Sequence, residues 1–552
     1  MVKYYEEYII MKRGTSMLGK PIVYRPLFLL ITVVMAIAWL PVSMLHWVAP
    51  NSAGITQAHA LVDMLVKTVR EPGCKEDNPY FLPGDAAFQW EPGDCWTLGF
   101  AKQNLTNSPE VRENIKNGVY VIPGFNDVGT TFRATDIMDD LFAKAVYLDD
   151  NTGRGGILYA VVDCFGLTST DVNAVRALIW DWAQDEGIKS IQVAATHTHA
   201  GIDTIGTGNI LGGGGKVPAF QQLLIEKTAQ AMKEAYGNRQ NGKLYMATAA
   251  SGDLFADFRA PYVFDPLITR FRFQPTQSGK KDVYLISAGV HPEASGRGNQ
   301  VITADFPAYA AKYIFEKTGA ETMFIQGALG ALITVRGWVD GSVYGLDAVK
   351  SNGKEFAQYV LGEQEGNAVS DETELPALLN IVSAEYELPF ENIVFILGSK
   401  VNFVNYKMYN VRHKSYKYAL TDEVSYLRLG DKTDSIDILI QSSELAPEVA
   451  MGGSLSKEES ALDFAYPRKA IFEYLREYPF ASRRQIVFGM ANNFTGYILP
   501  DNDYVTHNWL PYLSQGNDRF GTTHYEETNS AGPDSAGALT EAFRKLFDSV
   551  RG

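Results

Sequence analysis

The sequence predicts an α/β fold in which mixed β-sheets are flanked by helices, preceded by an N-terminal transmembrane helix. Three observations carry this. β-rich apolar runs alternate with helical patterns through most of the chain. One 23-residue stretch, Leu27 to Ala49, holds no Asp, Glu, Lys or Arg, which suffices to cross a hydrocarbon core of roughly 30 Å. Finally, 46% of the 552 residues are hydrophobic and only 20% charged, so the chain has the apolar material for one large domain or two ordinary ones and is not disordered in the main.

Residues 1–26 are read as a cytoplasmic segment and residues 27–49 as a signal-anchor. Lys3, Lys12, Arg13, Lys20 and Arg25 precede the apolar stretch against only Glu6 and Glu7, an excess that keeps the N-terminus inside and sends the rest out of the cytoplasm. The expected location is the cell membrane, single-pass, with the body outside. A second reading is secretion after cleavage at the small-x-small site Ala58-His59-Ala60. Residues 50–95 form a linker, with a short amphipathic helix over Gln57 to Arg70, then a Pro/Gly-punctuated loop between Cys74 and Cys95. Outside the cytoplasm those two cysteines are able to pair; Cys164, after a strand-like run, is expected to be buried.

Residues 96–552 are read as one body. Its strands are expected at AKAVYL, GILYAVVDCFGL, SIQVAAT, VYLISAGV, ETMFIQGA and QIVFGMA, and its helices at TDVNAVRALIWDWAQDEG and FPAYAAKYIFEKTG. Gly156 to Asp163 and Ser190 to Thr196 flank one helical pattern and are expected to be neighbours in one sheet. Asp340 to Thr433 reads as irregular and Tyr-rich.

Composition also excludes functions. Forty-nine basic against 64 acidic residues give a net charge of −15 and a pI near 5.1, which argues against a nucleic-acid partner. Three cysteines are too few for a disulfide scaffold or a structural zinc knuckle. A metal would have to use histidine and carboxylate.

The sharpest local signal is AATHTHAG, where an apolar run ends in Thr196-His197-Thr198-His199. Residues two apart on an extended chain point to one face, so both imidazoles are able to reach one metal; a hydrogen-bonded pair in a loop would need none. In GVHPEASGRGNQVITADFPAYAAKYIFEK, His291 is stiffened by Pro292, and Asp305 either caps the helix that follows or faces the site. His197, His291 and Asp305 are the catalytic candidates. SSELAPEVAMGG, with Glu444 and Glu448, and GMANNFTGYILP, with Tyr497, offer oxygen ligands.

Taken in order, these pieces resemble the neutral/alkaline non-lysosomal ceramidase family over roughly Trp96 to Phe547. LGFAKQNLTNSP, VIPGF, DDLFAKAVYLDD, VVDCFGL, ATHTHAG, FRAPYVFDPLITRFRF, HPEASGRGNQVITADF and HYEETNSAGP follow one another as that family's motifs do. The resemblance implies a ceramidase-like catalytic domain, a Zn²⁺ cofactor held by two histidines, a glutamate and a tyrosine, and cleavage of an N-acyl amide, a linear amide, in a lipid substrate. Carried over, the ligands fall on His197 and His199, with His199 favoured as the direct one, on Glu444 and on Tyr497.

Two departures stand out. The family's first histidine ligand falls on Met138, whose thioether is a poor Zn²⁺ ligand, with Asp139 as the possible substitute. The family's nucleophilic serine falls on Ala260, whose methyl group cannot attack a carbonyl. Ala331 likewise stands where another motif has an acid. The sequence therefore supports either a membrane-anchored, extracytoplasmic amide hydrolase that uses metal-activated water, or a non-catalytic protein of the same fold that binds a lipid or glycan.

Overall fold

The computed structural model describes residues 73–125, 131–208, 215–333, 345–364, 368–400, 402–412 and 415–550. The expected anchor at Leu27 to Ala49, the cleavage-site motif and the Gln57 to Arg70 helix lie outside these residues. Among the described residues no helix is long and apolar enough to cross a membrane.

Nine strands build the larger sheet: β1 (Trp96–Asn104), β2 (Phe142–Asp149), β3 (Ile157–Val162), β4 (Ser190–Ala195), β5 (Gln240–Ala250), β6 (Leu267–Pro275), β7 (Val283–Ala288), β8 (Glu321–Gln326) and β9 (Thr373–Leu375). Their order is β8-β7-β6-β5-β1-β2-β3-β4, with β9 beside β5. The second sheet contains β10 (Leu379–Phe390), β11 (Met408–Asn410), β12 (Tyr418–Gly430), β13 (Ser435–Gln441) and, after the two-residue strand β14 (Glu444–Leu445), β15 (Arg484–Phe488). There the order is β10-β12-β13-β15, with β11 beside β12. Another two-residue strand, β16 (Tyr497–Ile498), runs parallel to β14.

Both sheets are mixed. The pairs β3 with β4, β7 with β8 and β13 with β15 are parallel, and the remaining neighbours in the two sheets are antiparallel. ILYAVV and SIQVAA are buried at every position, as expected of parallel strands covered on both faces. They are neighbours, joined through helix α1 (Ser169–Asp185). That helix starts where the Asp171 carboxylate accepts the Thr168 N–H.

Alternation along β7 shows how the layers form. Val283 and Leu285 join Ile438, Ile440 and Phe488 of the second sheet in one buried cluster. Tyr284 and Ile286, pointing the other way, pack with Phe306, Ala310 and Ile314 of α3 (Phe306–Thr318) and with Phe356 of α4 (Leu346–Leu361). Helix α2 (Pro218–Gly237) covers β1 and β2, and α5 (Ser535–Ser549) covers β10 and β12. The result is two facing sheets between two layers of helices. Truncating a residue such as Ile438 to alanine in this inner layer would cost ~2–5 kcal/mol.

Two expectations need correction. Cys74 and Cys95 are both free: Gly73, beside Cys74, bridges Tyr409 in the second sheet, whereas the Cys95 carbonyl accepts from Asn151 at the mouth of the first sheet. Cys164 is buried as expected. The stretch read as irregular holds two of the longest strands, β10 and β12, with 12 and 13 residues. Interior polar residues masked their pattern, and those residues are paired in the fold: Glu423 accepts Arg176 at 2.6 Å and Asp422 accepts Ser442 at 2.5 Å.

Candidate metal centre

The C-terminal ends of β3, β4, β7, β13 and β15 all lead to one place, drawing loops from both sheets together. Gln326, the last residue of β8, ties two of those loops: its Nε2 donates to Thr196 O at 2.8 Å and to Val290 O at 2.7 Å. Between β15 and β16, Ala195 N donates to Met490 O, and Asn492 N donates to Val193 O. The site is thus stitched by backbone across both sheets.

His197 and His199 follow β4, but not on an extended chain. His197 has φ 65°, in the left-handed region, a conformation that costs of order 1–3 kcal/mol and persists where surroundings impose it. The imidazoles nevertheless converge, with the two Nε2 atoms 3.3 Å apart. His197 Nδ1 donates to Phe165 O at 2.6 Å, and the Phe165 ring lies against both histidines at 4.6 and 5.1 Å between centroids. His199 packs edge-on to Phe125. The adjoining Gly124 has no room for a side chain, since a Cβ there would sit 2.3 Å from His199 O, which explains the glycine of VIPGF.

His291 completes the group. Its Nδ1 donates to Leu332 O at 2.7 Å, and its Nε2 lies 3.0 Å from Glu444 Oε2. The same carboxylate oxygen is 3.4 Å from His197 Nε2. One ligand atom from each of His197, His199 and His291 lies within 4.8 Å of the others. Glu444 opens β14, paired in register with Tyr497 of β16, and the Tyr497 ring is 6.4 Å from that of His291.

The donor chemistry fits a cation. With Nδ1–H committed to a carbonyl, His197 and His291 each present an Nε2 lone pair, and both lone pairs face the same carboxylate oxygen. Such contacts repel unless a proton or metal stands between them. Three imidazole nitrogens and one carboxylate oxygen are a set that Zn²⁺ takes. Burial works to raise the Glu444 carboxyl, but protons carried by the His197 and His291 imidazoles, standing where a cation would bind, hold it well below the usual carboxylate range. Burial, with the neighbouring His197 and His291, holds His199 well below 6.5, keeping it neutral and able to ligate. Burial, and then Glu444, push the Tyr497 phenol well above 10.

The predicted residues therefore divide. His197, His199, His291 and Glu444 are brought together, and Tyr497 lies alongside. Asp305 is the N-cap of α3, and its carboxylate accepts from the N–H groups of Phe306, Ala294 and Ser295 at 2.8, 3.1 and 3.0 Å. It thereby anchors the turn that carries His291. Glu448 is buried, and burial raises it to about 8. Met138 packs against Ala294, Ala348 and Val349, and it is His291 that supplies a third imidazole to the cluster. Ala260 is exposed, next to Arg259, whose guanidinium bridges Asp503, Glu526 and Glu527 at 3.1, 2.7 and 3.0 Å. Sequence reasoning missed Gln326 and Glu293. The latter is buried, and burial raises it to about 7; its position in HPEAS, two residues from His291, was the available signal.

No family model and no curated protein sequence matches the chain. Among solved structures, neutral ceramidase from Pseudomonas aeruginosa superimposes with a TM-score of 0.59 at 13% identity, over 83% of this chain and 75% of that one. A ceramidase complexed with C2 gives 0.58 at 14% identity, over 83% and 76%. Together with the two facing sheets and the strand-end site, these likenesses show that the chain has a ceramidase-like fold.

Proposed function

We propose that the chain is a metal-dependent hydrolase that cleaves the N-acyl amide bond of a lipid substrate, its body held outside the cytoplasm by an N-terminal anchor at Leu27 to Ala49. The observation that carries the reading is the convergence of His197, His199 and His291 on Glu444, with two of the three imidazoles locked so that Nε2 faces inward. The ceramidase-like fold supports the substrate class, and the charge pattern before Leu27 supports the topology.

His197, His199, His291 and Glu444 would hold the ion, with Tyr497 beside them. A divalent metal there supplies Lewis acidity and lowers the pKa of water toward ~7, which offsets the missing hydroxyl at Ala260. Phe165 and Phe494 wall the histidines with their rings and keep bulk water off them. A second reading, a non-catalytic lipid or glycan binder, is favoured by the Ala260 methyl group alone.

Metal analysis of the purified protein with hydrolysis of a series of N-acyl amides separates the two. Stoichiometric zinc that His199→Ala and His291→Ala each abolish, together with amide cleavage lost in the same variants, supports the hydrolase. Protein free of metal and inert toward every amide, yet binding lipid, favours the second reading.

A further inference from the structure

The three imidazoles are not held alike. His197 and His291 give Nδ1–H to main-chain carbonyls, but His199 has no such acceptor: its Nδ1 is buried without a hydrogen-bond partner among the described residues. The polar atom facing it is Glu293 Oε2, at 3.4 Å. That carboxylate is delivered by a built turn. His199 N donates to Pro292 O at 3.0 Å, and Asp305 gathers the N–H groups of Ala294 and Ser295 just beyond. Glu293 is only 6% exposed, so its place beside His199 is fixed by the fold.

We propose that Glu293 is a positioning residue of the metal centre: it accepts His199 Nδ1–H and so turns His199 Nε2 toward the ion. The inference rests on the metal-centre reading above. Its physical basis is twofold. A formed N–H···O bond is about 2.9 Å long, so closing the present gap takes a movement of about half an ångström and satisfies a buried nitrogen that otherwise has nothing to bond. Charge gives the second reason. Three neutral imidazoles and Glu444 leave a buried dication one negative charge short, which Glu293 would supply as the carboxylate, the form that the ion's own charge favours against the burial that otherwise protonates it. Carboxylate, histidine and metal then stand in the relation by which outer groups set the tautomer and basicity of a ligand.

The test compares wild type, Glu293→Ala and Glu293→Gln by zinc affinity in competition with a chromophoric chelator. Imidazole ¹⁵N NMR of each metal-free protein, with His199 assigned through His199→Gln, supplies the second readout. Glu293→Ala is expected to weaken zinc roughly ten- to hundredfold and to move the His199 proton from Nδ1 to Nε2. Glu293→Gln keeps an oxygen acceptor without the charge, and is expected to retain the Nδ1–H tautomer with intermediate affinity. Wild-type affinity and an unchanged tautomer in Glu293→Ala would overturn the proposal. If that variant does not fold, wild-type affinity in Glu293→Gln overturns the role of the charge. Should the wild type bind no zinc, the metal reading fails by itself, and the tautomer still decides whether Glu293 orients His199.

Discussion

Glu448 lies four residues beyond Glu444, in the short helix Pro447–Met451, and is 4% exposed. Burial raises its carboxyl from 4.5 to about 8, with Asp257 and Asp503 adding to the rise and Arg259 opposing it. The folded protein thus binds this proton more tightly than the unfolded chain. The stabilisation is fully present below pH 4.5 and is lost as pH climbs toward 8. At ~1.4 kcal/mol per pH unit, the span from 4.5 to about 8 corresponds to ~5 kcal/mol. Glu448→Gln keeps the shape and stays neutral, so it removes this slope. The compact unit from Pro72 to Gly552 has an unfolding entropy of about 1 kcal/mol per kelvin at the per-residue average, so each kcal/mol moves Tm by ~1 °C. Thermal unfolding with chelator present, at pH 5 and pH 9, should show Glu448→Gln near wild type at pH 5 and up to ~5 °C above it at pH 9. Parallel pH profiles for the two proteins would refute a neutral buried Glu448.

Three other outcomes are expected. Met138→His should leave zinc stoichiometry unchanged, because Met138 packs with Ala294, Ala348 and Val349 and His291 already supplies an imidazole; metal analysis that finds zinc only in the variant would restore position 138 as the missing ligand. Arg259→Met strands three buried carboxylates, Asp503, Glu526 and Glu527, and should cost ~3–5 kcal/mol, read as a Tm lowered by a few degrees; an unchanged Tm would show that the node carries no stability. Protease added to intact cells should digest the body if residues after about position 50 lie outside the cytoplasm, and full protection there would overturn the topology.

What the sequence made legible follows from which interactions are local. Within the described residues, each strand and helix expected from an uninterrupted apolar pattern is present, ILYAVV and SIQVAA being neighbours because buried parallel strands must be apolar on both faces. β10 and β12 escaped because Ser383, Asp422, Glu423 and Ser425 interrupt their pattern, and the partners that make those residues tolerable, such as Arg176, lie far away in sequence. The candidate cluster was legible by residue type, since His197, His199, His291 and Glu444 all stood out in the sequence. Their division into roles was not. Asp305 and His291 looked alike in one segment, yet a left-handed Asp305 spends its carboxylate on three main-chain N–H groups, while His291 keeps Nε2 for the centre because Leu332 takes its other nitrogen.

The resemblance places a ligand histidine at position 138, where this chain has methionine, and the third imidazole of the cluster comes instead from His291. At this strand-end site the nitrogen atoms gathered near Glu444 come from separate segments. His291 reaches Glu444 because its loop is pulled in twice, by Asp305 from the α3 side and by Gln326, whose Nε2 grips Val290 O and Thr196 O together. Those two residues do not touch the centre, yet they set the distance between the His291 loop and the His197 loop. His291 itself is held by Leu332 O, which takes both its main-chain N–H and its Nδ1–H.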